Sequence, residues 1–214
     1  PKDISKITAA EELASSCLAN EKVKLKEIEN ELFWSGFETP ELATKILLEK
    51  FNKYSLEPSP YIFTKLVYKH FNKSTFFTPE VLENFICIFL KNLKIKSVLD
   101  PSMINGSTLY KISKELKPQE IYGYEINKEL FRLSEVFNKN ATLKNEYFPI
   151  NQGLEKRFDL IVSFPPIMMR HPSVNKEIII NDKKLAFNLH RETEIIFSSL
   201  RNLSDNGVAL FVVS

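Results

Sequence analysis

The sequence predicts an α/β fold in which a mostly parallel sheet, with helices on both faces, follows a helical N-terminal region. From residue 76 onward, short apolar runs alternate with segments of helical character, which is the order expected of a parallel sheet with crossover helices. Two of these runs, residues 160–162 and 208–213, are apolar without alternation, as expected for strands covered on both faces. The first 75 residues are typical of helices instead.

The composition is that of an ordinary globular protein. The 214 residues are 43% hydrophobic and carry a net charge of +2, so we expect a sizeable core, and the charge neither requires nor excludes a nucleic-acid partner. No apolar run approaches the roughly 18 residues of a membrane span, and the N-terminus lacks the apolar segment of a secretory signal, which predicts a cytoplasmic protein. Cys17 and Cys87 are far apart and the three histidines are scattered, so we expect reduced thiols and no metal site.

We predict two regions, residues 1–75 and residues 76–214. In the first, helix formers are dense at residues 8–14, Pro40 suits the first turn of a helix, and a further helix is expected at about residues 61–70. In the second, Pro79 opens a helix and strands then alternate with helices. The predicted strands are residues 97–100, 121–125, 143–148, 158–163 and 208–213, and the predicted helices among them are residues 108–116, 128–138 and 185–203.

The first candidate site is the turn after the strand at residues 97–100. This strand ends in Asp100, and a turn containing Gly106 leads into the next helix. Open parallel sheets bind ligands at the carboxyl ends of their strands, and a glycine lets the backbone approach a bound nucleoside. The alternative is that both residues only shape the turn.

The second candidate site is the end of the next strand. Glu125 stands there, 25 residues after Asp100, where a carboxylate can accept both ribose hydroxyls of an adenosyl group. Asn127 is expected to cap the helix that follows. The alternative is a surface glutamate beside a helix start.

The third candidate site is an apolar strand that runs through Ser163 and Phe164 into Pro165 and Pro166. Two prolines fix the backbone and leave no N–H donors in that corner. Because side chains alternate along a strand, we expect Ser163 and Phe164 on opposite faces. The alternative is a rigid exit from the strand.

Taken in order, these motifs resemble the amino-methyltransferases, in particular N6-adenine DNA methyltransferases like the modification subunit of type I restriction systems. The resemblance covers about two-thirds of the chain and implies a Rossmann-like fold dependent on S-adenosylmethionine, here without its last strands. It implies cofactor-binding roles for an aromatic-Thr-Pro segment, the Asp-Pro loop and the acids at the strand ends. These residues are Phe77, Thr78, Pro79, Asp100, Pro101, Gly106, Ser107, Glu125, Ile126 and Glu146; for Glu146, a solvated loop position is the alternative.

The sequence departs from the family's pattern at positions that carry chemistry. Ile104 stands where the family's loop has its first glycine, a position that often needs a positive φ. The family's catalytic element is Asn or Asp, then Pro-Pro, then Tyr or Phe, whereas here it is Phe164, Pro165, Pro166 and Ile167. In the family, the polar side chain and the first proline carbonyl accept the hydrogens of the adenine amine, and the aromatic ring stacks on the flipped base. Phe164 cannot accept a hydrogen bond and Ile167 has no aromatic ring, which predicts a weak or inactive site.

Three functions remain open from the sequence. The first is an adenine methyltransferase domain acting on DNA, the second an inactive fold that serves binding or assembly in a restriction-modification system, and the third a methyltransferase for RNA or a protein amide. Arg170 and His171 could contact a substrate phosphate, or could be incidental charges on a surface loop. Because the last predicted strand would be a long apolar edge, we expect either a longer protein or a partner subunit that covers it.

Overall fold

The computed structural model describes residues 20–28, 40–70, 77–149, 154–165, 174–180, 183–189 and 191–213. The chain divides into two compact units, Pro1–Ser74 and Thr75–Ser214. Within the described ranges, no helix is long and apolar enough to cross a membrane.

The N-terminal unit is helical where it is described. Residues 20–28 belong to helix α1, followed by α2 (Pro40–Lys53) and α3 (Pro60–His70). The side chains of Phe51 and Phe63 are buried and their ring centroids lie 4.9 Å apart, a separation typical of packed aromatic pairs. The predicted helix that starts at Pro40 and the one near residues 61–70 are therefore confirmed. The helix predicted at residues 8–14, and Cys17, lie outside the described residues.

Strands and helices alternate in the second unit. Up to the third strand, the elements are α4 (Glu80–Leu90), β1 (Ser97–Asp100), α5 (Ser107–Leu116), β2 (Glu120–Tyr124), α6 (Lys128–Phe137) and β3 (Thr142–Lys144). After it come β4 (Phe158–Ser163), β5 (Val174–Ile180), β6 (Lys183–Leu189), α7 (Arg191–Leu200) and β7 (Leu203–Phe211). Asn127 caps α6 as predicted, because its Oδ1 accepts hydrogen bonds from the backbone N–H groups of Glu129 and Leu130.

Five of these strands form one parallel sheet in the order β3-β2-β1-β4-β7, which confirms the predicted parallel α/β fold. β1 lies in the centre, where Val98 pairs with Ile121 of β2 on one side and with Leu160 of β4 on the other. Because the strands are parallel, the carboxyl ends of β1, β2 and β4 meet at one edge of the sheet. We call this edge the ligand edge.

The central strands are buried on both faces, which explains their continuous apolar sequences. On one face the cluster contains Val98 and Leu160 with side chains of α4 and α5, among them Ile86, Leu90, Leu109 and Ile112. On the other face the cluster contains Leu99, Tyr124, Phe148, Phe158 and Ile161.

The helix predicted at residues 185–203 is where the sequence-based prediction was wrong. The helix predicted from residue 185 begins at Arg191, because residues 183–189 form β6, which pairs antiparallel with β5. Apolar residues at positions 185, 187 and 189 recur with the two-residue period of a strand. Three strands also have other bounds than predicted: β2 is Glu120–Tyr124, not residues 121–125, β3 is Thr142–Lys144, not residues 143–148, and β7 is Leu203–Phe211, not residues 208–213.

Candidate functional site

The loop of residues 101–106 connects β1 to α5 at the ligand edge and is tied to the neighbouring strand. The N–H of Met103 donates to the Tyr124 carbonyl at 2.9 Å, and the N–H of Gly106 donates to the Met103 carbonyl at 2.8 Å. A Cβ on Gly123 of β2 would lie 2.4 Å from the Met103 sulfur. The glycine in β2 therefore provides the space in which Met103 anchors the loop.

Ile104 adopts a backbone conformation that its side chain disfavours. Its φ is 55°, in the left-handed region where an L-residue is less stable by roughly 1–2 kcal/mol, and β-branched residues are rare. This is the position at which the family's loop has its first glycine, so the expected positive φ is confirmed. Ile104 therefore holds a turn conformation that usually favours glycine.

Gly106 is required by the packing of the protein itself. Its φ is 71°, and an added Cβ would lie 2.1 Å from Ser134 Oγ and 2.6 Å from Asn138 Nδ2. Asn138 Nδ2 also donates to the Gly106 carbonyl at 3.1 Å. In the structure this glycine therefore makes room for the end of α6, while the predicted approach to a bound nucleoside stays a prediction.

Asp100 lies at the end of β1 and is only 1% exposed. Its Oδ1 accepts hydrogen bonds from the Ser102 N–H at 3.0 Å and from the Ser163 hydroxyl at 2.9 Å. Burial raises the pKa of Asp100 to about 7, although both hydrogen bonds act to lower it. A substantial fraction of this carboxyl is therefore protonated near neutral pH.

Glu125 follows β2 directly, one strand away from Asp100, and is 8% exposed. Its Oε1 accepts a hydrogen bond from the Asn127 N–H at 2.7 Å. Burial raises the pKa of Glu125, whereas backbone N–H groups, including that of Ile104, lower it. The carboxylate therefore joins the end of β2 to the loop after β1. The next residue, Ile126, has 49% of its surface exposed.

Glu83 is a buried acid that the sequence reasoning missed. It lies on α4 and is 1% exposed. Its Oε1 accepts hydrogen bonds from the Ser107 hydroxyl at 2.7 Å and from the Thr108 hydroxyl at 2.9 Å. Its burial could have been predicted from helical spacing, because residues 83, 86, 87 and 90 lie on the same, buried face of the helix.

The predicted aromatic-Thr-Pro segment leads directly into α4. Phe77 and Thr78 are partly buried and Pro79 is exposed. The Pro79 carbonyl accepts the first hydrogen bonds of the helix, from the N–H groups of Leu82 and Glu83. The segment is therefore joined to Glu83, and through it to the helix that follows the loop.

The corner after β4 is described as far as Pro165, which is buried. Phe164 packs against the cluster that contains Leu160 and Val162, while the Ser163 hydroxyl bonds to Asp100. The predicted alternation of Ser163 and Phe164 is consistent with these contacts. The predicted site residues Pro166, Ile167, Arg170 and His171 lie outside the described residues.

Glu146 lies two residues beyond β3 and is well exposed. Its carboxylate is 3.6 Å from the Lys144 ammonium, and the two side chains are 57% and 49% exposed. An ion pair this exposed stabilises the fold by no more than about 1 kcal/mol. The Glu146 carboxylate can therefore exchange Lys144 for another partner with little loss of stability.

Together these residues form an acidic, largely desolvated region at the ligand edge. Glu83 and Glu125 are both close enough to raise the pKa of Asp100 by their charge. Such carboxyl groups can accept hydrogen bonds from hydroxyl or ammonium groups of a ligand. Among the described residues, no three His, Cys, Asp or Glu side chains are grouped to hold a metal ion.

Comparison with known proteins gives a family and a fold. The sequence profile of the family described as N-6 DNA Methylase matches residues 61–214. The structure is similar to the methyltransferase subunit of a type I restriction-modification system from Streptococcus thermophilus, with a TM-score of 0.52 and 16% identity over 87% of this chain and 50% of that one. This chain therefore spans about half the length of that subunit. No curated protein sequence matches significantly.

Two further solved structures have lower similarity. One is the S-adenosylhomocysteine-bound methyltransferase PaMTH1 from Podospora anserina, with a TM-score of 0.45 and 15% identity over 63% of this chain and 53% of that one. The other is precorrin-6y C5,15-methyltransferase from Geobacter metallireducens, with a TM-score of 0.45 and 16% identity over 64% of this chain and 65% of that one.

Proposed function

We propose, from the premise that this chain belongs to the N-6 DNA methylase family, that its α/β unit binds S-adenosylmethionine at the ligand edge. One observation carries the proposal. Two buried acids, Asp100 and Glu125, lie at the ends of adjacent strands, and the loop of residues 101–106 is hydrogen-bonded to the second strand. This is the place where open parallel sheets bind nucleoside cofactors.

Each part of the cofactor has a candidate partner in this chain. Glu125 would accept the ribose hydroxyls, because a carboxylate offers about four acceptor positions and the Asn127 N–H uses one of them. Ile126 would line the adenosyl group, and Glu146 would accept the adenine amine. Residues 77–79, Pro101, Gly106 and Ser107 would complete the wall around the methionine part.

We infer that methyl transfer to adenine is weak or absent in this chain. Bound S-adenosylmethionine would supply an electrophilic methyl group, but the amine that receives it needs a polar acceptor. Phe164 cannot accept a hydrogen bond, and it is partly buried against a core cluster, while the nearby Ser163 hydroxyl donates to Asp100. Losing one such partner typically lowers the rate by roughly 10²–10³-fold.

A second candidate function is a methyltransferase fold that serves binding or assembly without catalysis. The packing of Phe164 favours this second function, because its contact with the core cluster stabilises the fold at the position where the family has a catalytic side chain. In either case we propose that DNA is the eventual partner, and that a further polypeptide segment or a partner subunit pairs with β7. In the described part of the chain, β7 is hydrogen-bonded on one side only, to β4, and exposed edges of this length are rarely left unprotected.

The proposal is tested by calorimetric titration with S-adenosylmethionine and with S-adenosylhomocysteine. We expect binding to both, and weaker binding to a Glu125→Gln variant, because a neutral amide accepts ribose hydroxyls less strongly than a carboxylate. An unchanged affinity in the variant would remove Glu125 from the site. The absence of binding at millimolar cofactor would refute the proposal.

Catalysis is tested by methyl transfer to adenine-containing DNA. We compare the natural chain with a double variant, Phe164→Asn with Ile167→Tyr, that restores the family's catalytic element. Activity in the variant alone would support a degenerate site on an intact scaffold. Full activity of the natural chain would refute the inference of weak transfer.

A further inference from the structure

We propose that Glu83 is a positioning residue that fixes the orientation of the cofactor loop from the side of α4. This inference rests on the proposed function for its consequence, cofactor affinity. Its structural part, the order of the loop, can be measured without any ligand.

The contact has the geometry of an anchor. One carboxylate oxygen of Glu83 accepts the hydroxyls of two consecutive residues, Ser107 and Thr108, which begin the first turn of α5. All three side chains are at least 97% buried. Two bonds from adjacent residues to one fixed acceptor set both the position of the helix start and its rotation about its own axis.

The anchor acts on the loop because the loop and the helix are continuous. Gly106 immediately precedes Ser107, and the Ser107 N–H donates to Asn105 Oδ1 at 3.2 Å. A rotation of the first turn of α5 would therefore move Asn105 and Gly106 together. The backbone N–H groups of the helix start, which favour negatively charged ligand groups, would change direction with them.

The anchor also joins the two segments that the proposed cofactor would contact. Glu83 lies one turn after Pro79, whose carbonyl accepts the Glu83 N–H. Residues 77–79 and residues 101–106 are therefore connected through a single side chain. We infer that Glu83 makes them one preorganised surface, which reduces the loss of freedom on binding.

The experiment measures loop order and affinity separately. Amide hydrogen exchange of residues 101–110 is followed in the cofactor-free protein, and the affinity for S-adenosylhomocysteine is measured by calorimetry. In Glu83→Leu we expect roughly tenfold faster loop exchange and at least tenfold weaker binding, since small displacements of positioning groups have effects of this size. Glu83→Gln keeps an acceptor oxygen, and both values should stay within about threefold of the natural protein.

Asp159 provides a matched control. Its carboxylate also joins two segments of the sheet, accepting the N–H groups of Lys96 and Ser97 at 2.9 and 3.2 Å, but at the opposite end of β1. Asp159→Leu removes the acceptor as Glu83→Leu does, and should lower the stability of the protein without changing loop exchange or affinity. Equal effects of Asp159→Leu and Glu83→Leu on loop exchange and affinity would overturn the proposal, as would natural loop exchange in Glu83→Leu.

A double-mutant cycle identifies the route of the effect. If Glu83 acts through Ser107, Glu83→Leu should weaken binding and speed exchange less in a Ser107→Ala background than in the natural one. Fully additive effects would contradict this route. If Glu83→Leu does not fold, the Ser107→Ala variant with Thr108→Val tests the same anchor. If the natural protein does not bind the ligand, the proposed function fails, while loop exchange still decides the positioning role.

Discussion

The left-handed conformation of Ile104 predicts a reversal of the usual order of stability between alanine and glycine. Ile104→Ala and Ile104→Gly both remove the partly buried side chain beyond Cβ, so their difference isolates the Cβ atom at a φ of 55°. An L-residue in this region is less stable by roughly 1–2 kcal/mol. The greater freedom of glycine in the unfolded chain offsets about 0.4–1 kcal/mol of that difference. We therefore expect Ile104→Gly to be more stable than Ile104→Ala by about 0.5–1 kcal/mol.

The measurement is urea unfolding of both variants under identical conditions. The control site is Glu135, an exposed position in α6, where Glu135→Ala should be more stable than Glu135→Gly by a similar amount, since helix interiors favour alanine. If Ile104→Ala is as stable as Ile104→Gly, the strain assigned to this residue is absent. Calorimetry on the same two proteins asks whether a glycine at position 104 strengthens S-adenosylhomocysteine binding, as the family's loop implies.

Four further results are expected. Gly106→Ala should lower the free energy of unfolding by roughly 2–5 kcal/mol, because the added Cβ overpacks the site and is strained at a left-handed φ. A second substitution, Ser134→Gly, should partly restore the lost stability by removing the nearest clashing atoms. Equal losses from Gly106→Ala with and without Ser134→Gly would contradict the packing argument. Burial raises the folded-state pKa of Asp100 to about 7, so the stability contributed by its protonated form is present below pH 4 and is lost as the pH rises through 7. Relative to the natural protein, the free energy of unfolding of Asp100→Asn should therefore increase by about 2–3 kcal/mol between pH 5 and pH 8 in denaturant titrations. A difference between the two proteins that does not vary with pH would refute this expectation. Ser163→Ala should raise the pKa of Asp100 further in carboxyl NMR titrations, because it removes a hydrogen bond that lowers that pKa, and an unchanged or lower pKa would count against that bond. Burial raises the pKa of Cys87 to about 11, so alkylation of this thiol at pH 8 should be far slower in the folded protein than in urea, and equal rates would show that it is accessible.

Much of the α/β unit could be predicted because its signals are local. The bounds of β1 and β4 match the prediction, since each is an apolar run that ends at a polar residue or a proline corner. Asn127 was found as a helix cap because capping depends on residues within one turn. The expected positive φ at Ile104 came from the resemblance to the family's loop, and the structure has it.

The remaining features depend on contacts between distant residues. The bond between Ser163 and Asp100 joins residues on two strands, and the anchor at Glu83 joins two helices. A single sequence shows that Glu83 is a charged residue within an apolar helix, but it does not name the hydroxyls that satisfy it. The apolar residues of β6 could be placed on either a helix or a strand, and the prediction chose the helix.

The central position of β1 has a consequence for synthesis on the ribosome. Its partner β2 is made soon afterwards, but its other partner, β4, begins at Phe158 and follows at typical translation rates only after roughly 3–12 seconds. During that interval Val98 and Leu99 have neighbours on one side only, and neither Ser163 nor Asp159 exists to bond the two ends of β1. The ligand edge therefore assembles late. A nascent chain halted before residue 158 would display the loop of residues 101–106 without the strand that completes it.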